Sequence, residues 1–155
     1  METIGTFDAV EQMLAPYATE IKRANALNMN VYLPADKLVP AVKSLREAQW
    51  GYLSAITGLD HPGEPEGSIE TLYQFCNRAE IVTLRVSVPY SAAVLPSVCG
   101  LIPTATLYER EMIEMFGVTI EGTPNTDKLL LPDDWPDGVY PLRKSFTGLD
   151  NTPQA

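Results

Sequence analysis

The sequence predicts an α+β fold: two layers, with a mainly antiparallel sheet, helices packed on one of its faces, and an extended, proline-rich C-terminal segment. Three observations point there. Strand-like runs at residues 51–60, 68–76 and 80–89 follow one another with no helix between them, so strict βαβ alternation is absent. Amphipathic helical patterns stand apart from these runs, early in the chain and again near residue 110. Beyond residue 88 the prolines crowd together: Pro89, Pro96 and Pro103, then Pro124, Pro132, Pro136, Pro141 and Pro153.

The elements follow in order. Residues 6–15 have helical spacing, with Phe7, Val10, Met13 and Leu14 on one side and Thr6 as N-cap. Two short strands, 20–24 and 29–33, flank a turn at NALN (25–28). Residues 35–48 form an amphipathic helix burying Leu38, Val42 and Leu45. The run 68–76 alternates Ile69, Thr71, Tyr73 and Phe75 against Glu70, Leu72 and Gln74. The run 80–89 sets Val82, Leu84, Val86 and Val88 against Ile81, Thr83, Arg85 and Ser87, and NRA between the two runs reads as a hairpin turn. A helix over 104–116 closes the regular part.

A chain of 155 residues suits one domain with a real core. Residues 1–117 are expected to form it, including the 104–116 helix. Residues 118–155 are expected to be an extended segment packing on that domain, on a partner subunit, or on both. The net charge of −9 gives no phosphate-binding footprint and argues against nucleic acid. No apolar run approaches the roughly 18–20 residues that span a bilayer, so membrane contact is expected only through partners. The N-terminus METIGTFDAVEQ lacks the pattern of a secretory signal. Cys76 and Cys99 stand alone, and with the single His61 they fall short of a zinc or ordinary iron–sulfur ligand set. They read as thiols in a reducing compartment, and His61, in the turn DHPGEPEG, as a surface residue.

The helix carries the question of function. In TLYEREMIEMFG, Thr106 and Glu109 have capping-box spacing and Gly117 suits the C′ position. The apolar arc is wide, and only Arg110 and Glu114 fall clearly outside it, able to pair at i,i+4. Glu109 lies between Phe116 and Ile113, and Glu111 between Leu107 and Met115. Glu109 has its own helix end to cap. Glu111 needs a cation or several donors, or must take up a proton. Three readings compete: an ion pair with Arg143 or Lys144, an acid–base carboxylate, and a face covered by another protein. Catalysis lacks company, with no Ser/His/Asp set, HExxH, GxGxxG or P-loop in the chain.

The stretch LPSVCGLIPTATLYEREMIEMFGVTIEG, then PNTDKLLLPDDWPDG, then PLRKSF, resembles the small hydrophilic subunit of respiratory complex I, the 30 kDa or C subunit of bacterial NADH:quinone oxidoreductase. The same family serves membrane-bound energy-converting [NiFe] hydrogenases. The resemblance rests on Glu109, Arg110, Glu111, Met115, Phe116 and Gly117, then on Pro141, Leu142, Arg143 and Lys144, and upstream on YLSAITGLDHPG. It implies an α+β subunit that binds no redox cofactor. Such a protein packs against a hydrogenase-like large subunit, beside an iron–sulfur subunit, on the cytoplasmic side of a membrane complex. Iron–sulfur clusters, with FMN or a NiFe centre according to the complex, would lie in neighbouring subunits. The departures are Thr123, Pro124 and Asn125 where His-Pro-Asp is usual, Asp127 and Lys128 where an Arg pair is usual, and Leu107, Tyr140 and Ser145 for Trp, His and Asp. Some remove positive charge, which suggests a divergent branch.

The expected function is a non-catalytic subunit of a membrane-bound, energy-converting oxidoreductase. Glu111 and Arg143 are the expected internal or interfacial pair, and Leu129, Leu130, Leu131 and Trp135 the expected anchors of the C-terminal segment on a partner. The alternatives are a stand-alone enzyme using Glu109 and Glu111 as acid and base, or a soluble adaptor outside any redox complex.

Overall fold

A computed structural model describes residues 7–151. The expected N-cap Thr6 and the last proline, Pro153, lie outside the described residues. Helix α1 (Phe7–Leu14) buries Phe7, Val10 and Leu14. Strands β1 (Glu20–Asn25) and β2 (Asn28–Tyr32) form an antiparallel hairpin. Its turn is held by the Asn25 side chain, whose Oδ1 accepts from the Leu27 N–H and from the side-chain Nδ2 of Asn28, both at 2.9 Å. Helix α2 (Ala35–Glu47) buries Leu38, Ala41, Val42 and Leu45, adding Ala41 to the expected set.

Strands β3 (Tyr52–His61), β4 (Ser68–Asn77) and β5 (Glu80–Pro89) complete a five-stranded sheet of order β1-β2-β5-β4-β3. Within it only the β2–β5 contact is parallel. The alternation expected for β4 and β5 shows in their burial. Ile69, Tyr73 and Phe75 pair in register with Val88, Leu84 and Val82 on the face that meets the helices. Asn77 and Glu80 bracket the β4–β5 turn, where Arg78 takes φ +56°.

Two three-residue strands, β6 (Val94–Pro96) and β7 (Thr119–Glu121), pair in parallel as a second sheet that the sequence did not suggest. Three residues carry too little periodicity to be read as a strand. Helix α3 (Thr106–Phe116) packs on β3. It closes there because Gly58 has no side chain: a Cβ at that position would lie 2.4 Å from the Phe116 ring. Val118 and Ile120, just past the helix, enter the core with Leu95 and Val98.

The opposite face of the sheet carries an ion pair. Glu70 is nearly buried and accepts from Arg85 Nε at 3.0 Å and Nη2 at 2.7 Å, with His61 Nε2 at 3.2 Å. The Arg85 guanidinium also lies over the Tyr32 ring, 5.2 Å from its centre. Hydrogen bonding from Arg85, followed by His61, outweighs burial and holds the Glu70 carboxyl below the ordinary range.

Candidate functional site

The site is α3 and the chain that returns across it. A 3-10 turn, Pro103–Ala105, runs directly into the helix. The residue at the N-cap is therefore Ala105, already in helical conformation and without a side-chain bond to the helix end. This corrects the expected capping box. Thr106 sits inside the helix, and its hydroxyl is buried without a partner among the described residues. Glu109 turns the other way. It is completely buried and binds the loop after β6, accepting from Ser97 Oγ at 2.8 Å, the Val98 N–H at 2.7 Å and Cys99 Sγ at 3.0 Å. Burial first, and then the Glu109 carboxyl, push the Cys99 thiol above its usual range, against an opposing pull from Ser97. Burial, with Glu109 adding to it, also raises the Tyr73 hydroxyl, which has no hydrogen-bond partner among the described residues.

Glu111 is half-buried and makes no hydrogen bond or ion pair among the described residues. The expected intrachain pair with Arg143 is not formed. Arg143 Nε donates to the Phe116 carbonyl at 2.6 Å, and its guanidinium lies between the rings of Tyr90 and Tyr140, at 5.0 and 5.2 Å. The reason is position. Arg143 meets the helix at its C-terminus, where open carbonyls attract a cation. Glu111 lies about 7.5 Å back along the axis. Lys144 contributes its backbone N–H, which donates to Asp60 Oδ2 at 2.8 Å. Asp60 is buried and also accepts from the Tyr90 hydroxyl. Glu109 and Glu111 do not form an acid–base couple. They project about 160° apart around the helix, and Glu109 has no exposed surface on which to meet a substrate.

The polar side of α3 holds contacts that its spacing did not reveal. Arg110 and Glu114 do not pair with each other; each grips the returning chain. Arg110 donates from Nε to the Asp127 carbonyl at 2.9 Å and from Nη2 to the Lys128 carbonyl at 3.0 Å. Glu114 accepts three successive backbone N–H groups, from Leu129, Leu130 and Leu131, at 3.0, 2.9 and 3.1 Å. Lys128 Nζ donates to the carbonyls of Pro132, Asp133 and Trp135, at 3.4, 3.1 and 3.1 Å. Residues 127–135 thus form a strap without helix or strand. The one sequence signal for Glu114 was its place on the polar side of a helix that faces a segment in need of a surface.

The four expected anchors separate. Leu129, Leu131 and Trp135 are half-buried, whereas Leu130 is 62% exposed. Leu131 and Trp135 line a cavity of about 280 Å³ between the strap and α3, along with Arg110, Ile113 and Tyr140. Trp135 donates its indole N–H to the Val139 carbonyl at 2.8 Å and lies 6.1 Å from the Phe146 ring. Beyond the strap, Pro141 is half-buried and Leu142 is exposed, its N–H bonded to the Met115 carbonyl at 3.2 Å. Gly117 ends α3 with φ +72°, and the Tyr140 ring lies where a Cβ would sit, at 2.3 Å. Phe116 is buried over β3. Among the described residues no group of three or more His, Cys, Asp or Glu side chains could hold a metal ion, and no helix is long and apolar enough to cross a membrane.

A family model described as "Respiratory-chain NADH dehydrogenase, 30 Kd subunit" matches residues 31–152. The chain belongs to this family. The match takes in the whole of α3, its strap and the Arg143 contact. The C subunit of NADH-quinone oxidoreductase from Roseiflexus sp. (strain RS-1) is 35% identical over 123 residues, which are 76% of this chain and 68% of that protein. Membrane-bound hydrogenase subunit beta of Pyrococcus furiosus is 36% identical over 89 residues, 56% of this chain and 51% of that protein. Among solved structures, a chain of the membrane-bound sulfane sulfur reductase, an archaeal respiratory membrane complex, superposes with a TM-score of 0.77 at 30% identity. That superposition covers 92% of this chain and 86% of the other. This member of the 30 Kd subunit family carries α3, the strap laid over it and a two-layer α+β body.

Proposed function

We propose that this member of the 30 Kd subunit family is a non-catalytic subunit of a membrane-bound, energy-converting oxidoreductase, and that the outer side of α3 seats on a hydrogenase-like large subunit. The observation that carries this is Glu111. It is half-buried on a helix face it shares with Leu107, which is 52% exposed, and no cation of its own chain reaches it among the described residues. A carboxylate so placed is stabilised by a cation brought from outside. The names of the relatives, a quinone oxidoreductase subunit and a membrane-bound hydrogenase subunit, support the class of assembly.

In this reading Glu111 receives an arginine or lysine of the large subunit, while Arg143 locks the C-terminal segment at the helix end. Residues 118–155 supply much of the partner-facing surface. An iron–sulfur subunit joins the same complex. The clusters, with FMN or a NiFe centre, sit in those neighbours, and the chain lies on the cytoplasmic side, touching the membrane only through them.

The test is purification of the tagged chain from solubilised membranes of its source organism. Recovery of a large subunit and an iron–sulfur subunit is expected, with Glu111→Arg losing the large subunit while leaving the melting temperature unchanged. Recovery of the wild-type chain alone would sink the reading. Flavin-binding subunits in the recovered set would indicate an NADH-oxidising complex. A large subunit with nickel-binding cysteines would indicate a hydrogenase.

A further inference from the structure

We infer that the cavity where the end of β3 meets residues 143–145 is a binding site for a phosphate group, held by the Arg143 guanidinium, the Lys144 ammonium and the Ser145 hydroxyl. The site goes beyond the subunit role and does not depend on it.

The cavity has a volume of about 330 Å³ and is lined by Asp60, Pro62, Tyr90, Arg143, Lys144 and Ser145. Its shape comes from bonds that tie distant parts of the chain together. Asp60, the last residue but one of β3, accepts from the Tyr90 hydroxyl and from the Lys144 N–H. The Arg143 N–H donates to the Tyr140 carbonyl at 3.2 Å, and the Phe146 N–H to the Arg143 carbonyl at 3.0 Å, so the chain turns on both sides of Arg143. The backbone beneath the two cations is therefore fixed before a ligand arrives, which lowers the ordering cost of binding.

Arg143 is the centre of the site. Its Nε is engaged by the Phe116 carbonyl, and the rings of Tyr90 and Tyr140 hold its guanidinium at 5.0 and 5.2 Å. Its two terminal NH2 groups make no hydrogen bond or ion pair among the described residues. A half-buried guanidinium clamped at one edge and open at the other presents a fork that matches two oxygens of a phosphate or a carboxylate.

Lys144 and Ser145 decide between those two ligands. Both are exposed, and neither side chain has a hydrogen-bond or ion-pair partner among the described residues. They add an ammonium and a hydroxyl donor to the fork. A carboxylate has two oxygens, and the fork takes both; a phosphate has a third to offer the further donors. Charge agrees with this choice. Arg23 and Arg85 are held by carboxylates, and Arg110 and Lys128 by backbone carbonyls. Here two adjacent cations face one carboxylate. That carboxylate, Asp60, is buried with a donor on each oxygen, so the cavity keeps a net positive charge in an acidic chain.

The experiment titrates the full chain with inorganic phosphate, at an ionic strength held constant with chloride, and follows the N–H signals by NMR. Saturable shifts are expected at Asp60, Lys144, Ser145 and the Arg143 side chain, with one phosphate per chain. Acetate is expected to bind at least about fivefold more weakly. Lys144→Met keeps the backbone N–H on Asp60 and is expected to weaken phosphate binding about fivefold, with an unchanged melting curve. Ser145→Asp adds a carboxylate to the cavity and is expected to abolish saturation, again without a change in melting. Lys43→Met, on the exposed side of α2, is expected to bind as wild type. Glycerol 3-phosphate names the source: tighter binding than inorganic phosphate marks a phosphate ester, equal binding the free ion, and both support the site. Shifts that rise without saturating, or that Lys144→Met and Ser145→Asp leave unchanged, would overturn it. Acetate bound as tightly as phosphate would overturn the phosphate assignment. All of these outcomes leave the subunit role standing, because none involves a partner.

Discussion

Glu109 illustrates how a buried carboxylate is tolerated. Among the described residues it has no cation beside it, yet three donors from a single loop converge on its two oxygens, the hydroxyl of Ser97, the N–H of Val98 and the thiol of Cys99. Removing the acceptor leaves those donors unpaired in the core and opens a void. Glu109→Ala is therefore expected to cost about 3 kcal/mol in urea unfolding. Glu109→Gln fills the space and keeps one acceptor oxygen for the Val98 amide, while Ser97 and Cys99 can turn to accept from the new NH2. Its loss is expected to be about 1 kcal/mol. Equal losses for the two variants would show that the charge, and not the hydrogen-bond count, matters at this position. Glu111, two residues on, has none of these donors, which is why the two carboxylates of the same motif have separate roles.

Among the elements, α3 is defined by its ends and by its fit to β3. Its C-terminus requires Gly117 twice over, for the left-handed backbone at φ +72° and for the space the Tyr140 ring occupies. Gly117→Ala is expected to cost about 2 kcal/mol, from backbone strain and displacement of Tyr140. Gly58→Ala is expected to cost a similar amount, about 1–3 kcal/mol, by pushing Phe116 off the strand. Gly100→Ala is the control, since nothing lies within 4 Å of a Cβ there, and is expected to be neutral in the same thermal melts. Moving Tyr140 also moves Arg143, which stacks on it, so only Gly117→Ala should also loosen residues 140–144 to protease.

Across the molecule as a whole, the two sides of the sheet divide the labour. One side meets the helices and makes the core. The other carries the Glu70–Arg85 pair with His61. The Glu70 carboxyl is held below its unfolded value, chiefly by Arg85. Its contribution to stability is therefore fully present above the ordinary glutamate pKa of about 4.3 and is lost as pH falls through the lower folded value. Stability measured by urea unfolding should drop on the acid side of that range, and the drop should be shallower in Glu70→Gln. Arg85→Ala should be worse than Glu70→Gln at neutral pH, by about 3 kcal/mol relative to wild type, because it strands a nearly buried carboxylate.

The class of the fold, the alternation of β4 and β5, the helix over the signature motif and the family were all legible in the order of residues. Each is written in local spacing or in a contiguous motif: Ile69, Tyr73 and Phe75 at even spacing along one strand, Gly117 at a helix end. Which charges meet was settled only when the chain folded. No spacing links Glu109 to Ser97 and Cys99 across a turn, or Glu114 to the amides of 129–131, and nothing local says that Arg143 reaches the Phe116 carbonyl in preference to Glu111. Those partners are set by how the returning chain lies over α3, and the β6–β7 pairing that starts its return is too short to leave a pattern. Hydrogen bonds to backbone groups are also indifferent to the side chain that offers the amide, so Leu129, Leu130 and Leu131 look alike in the sequence. Only the folded strap separates the leucine that faces out from its two half-buried neighbours.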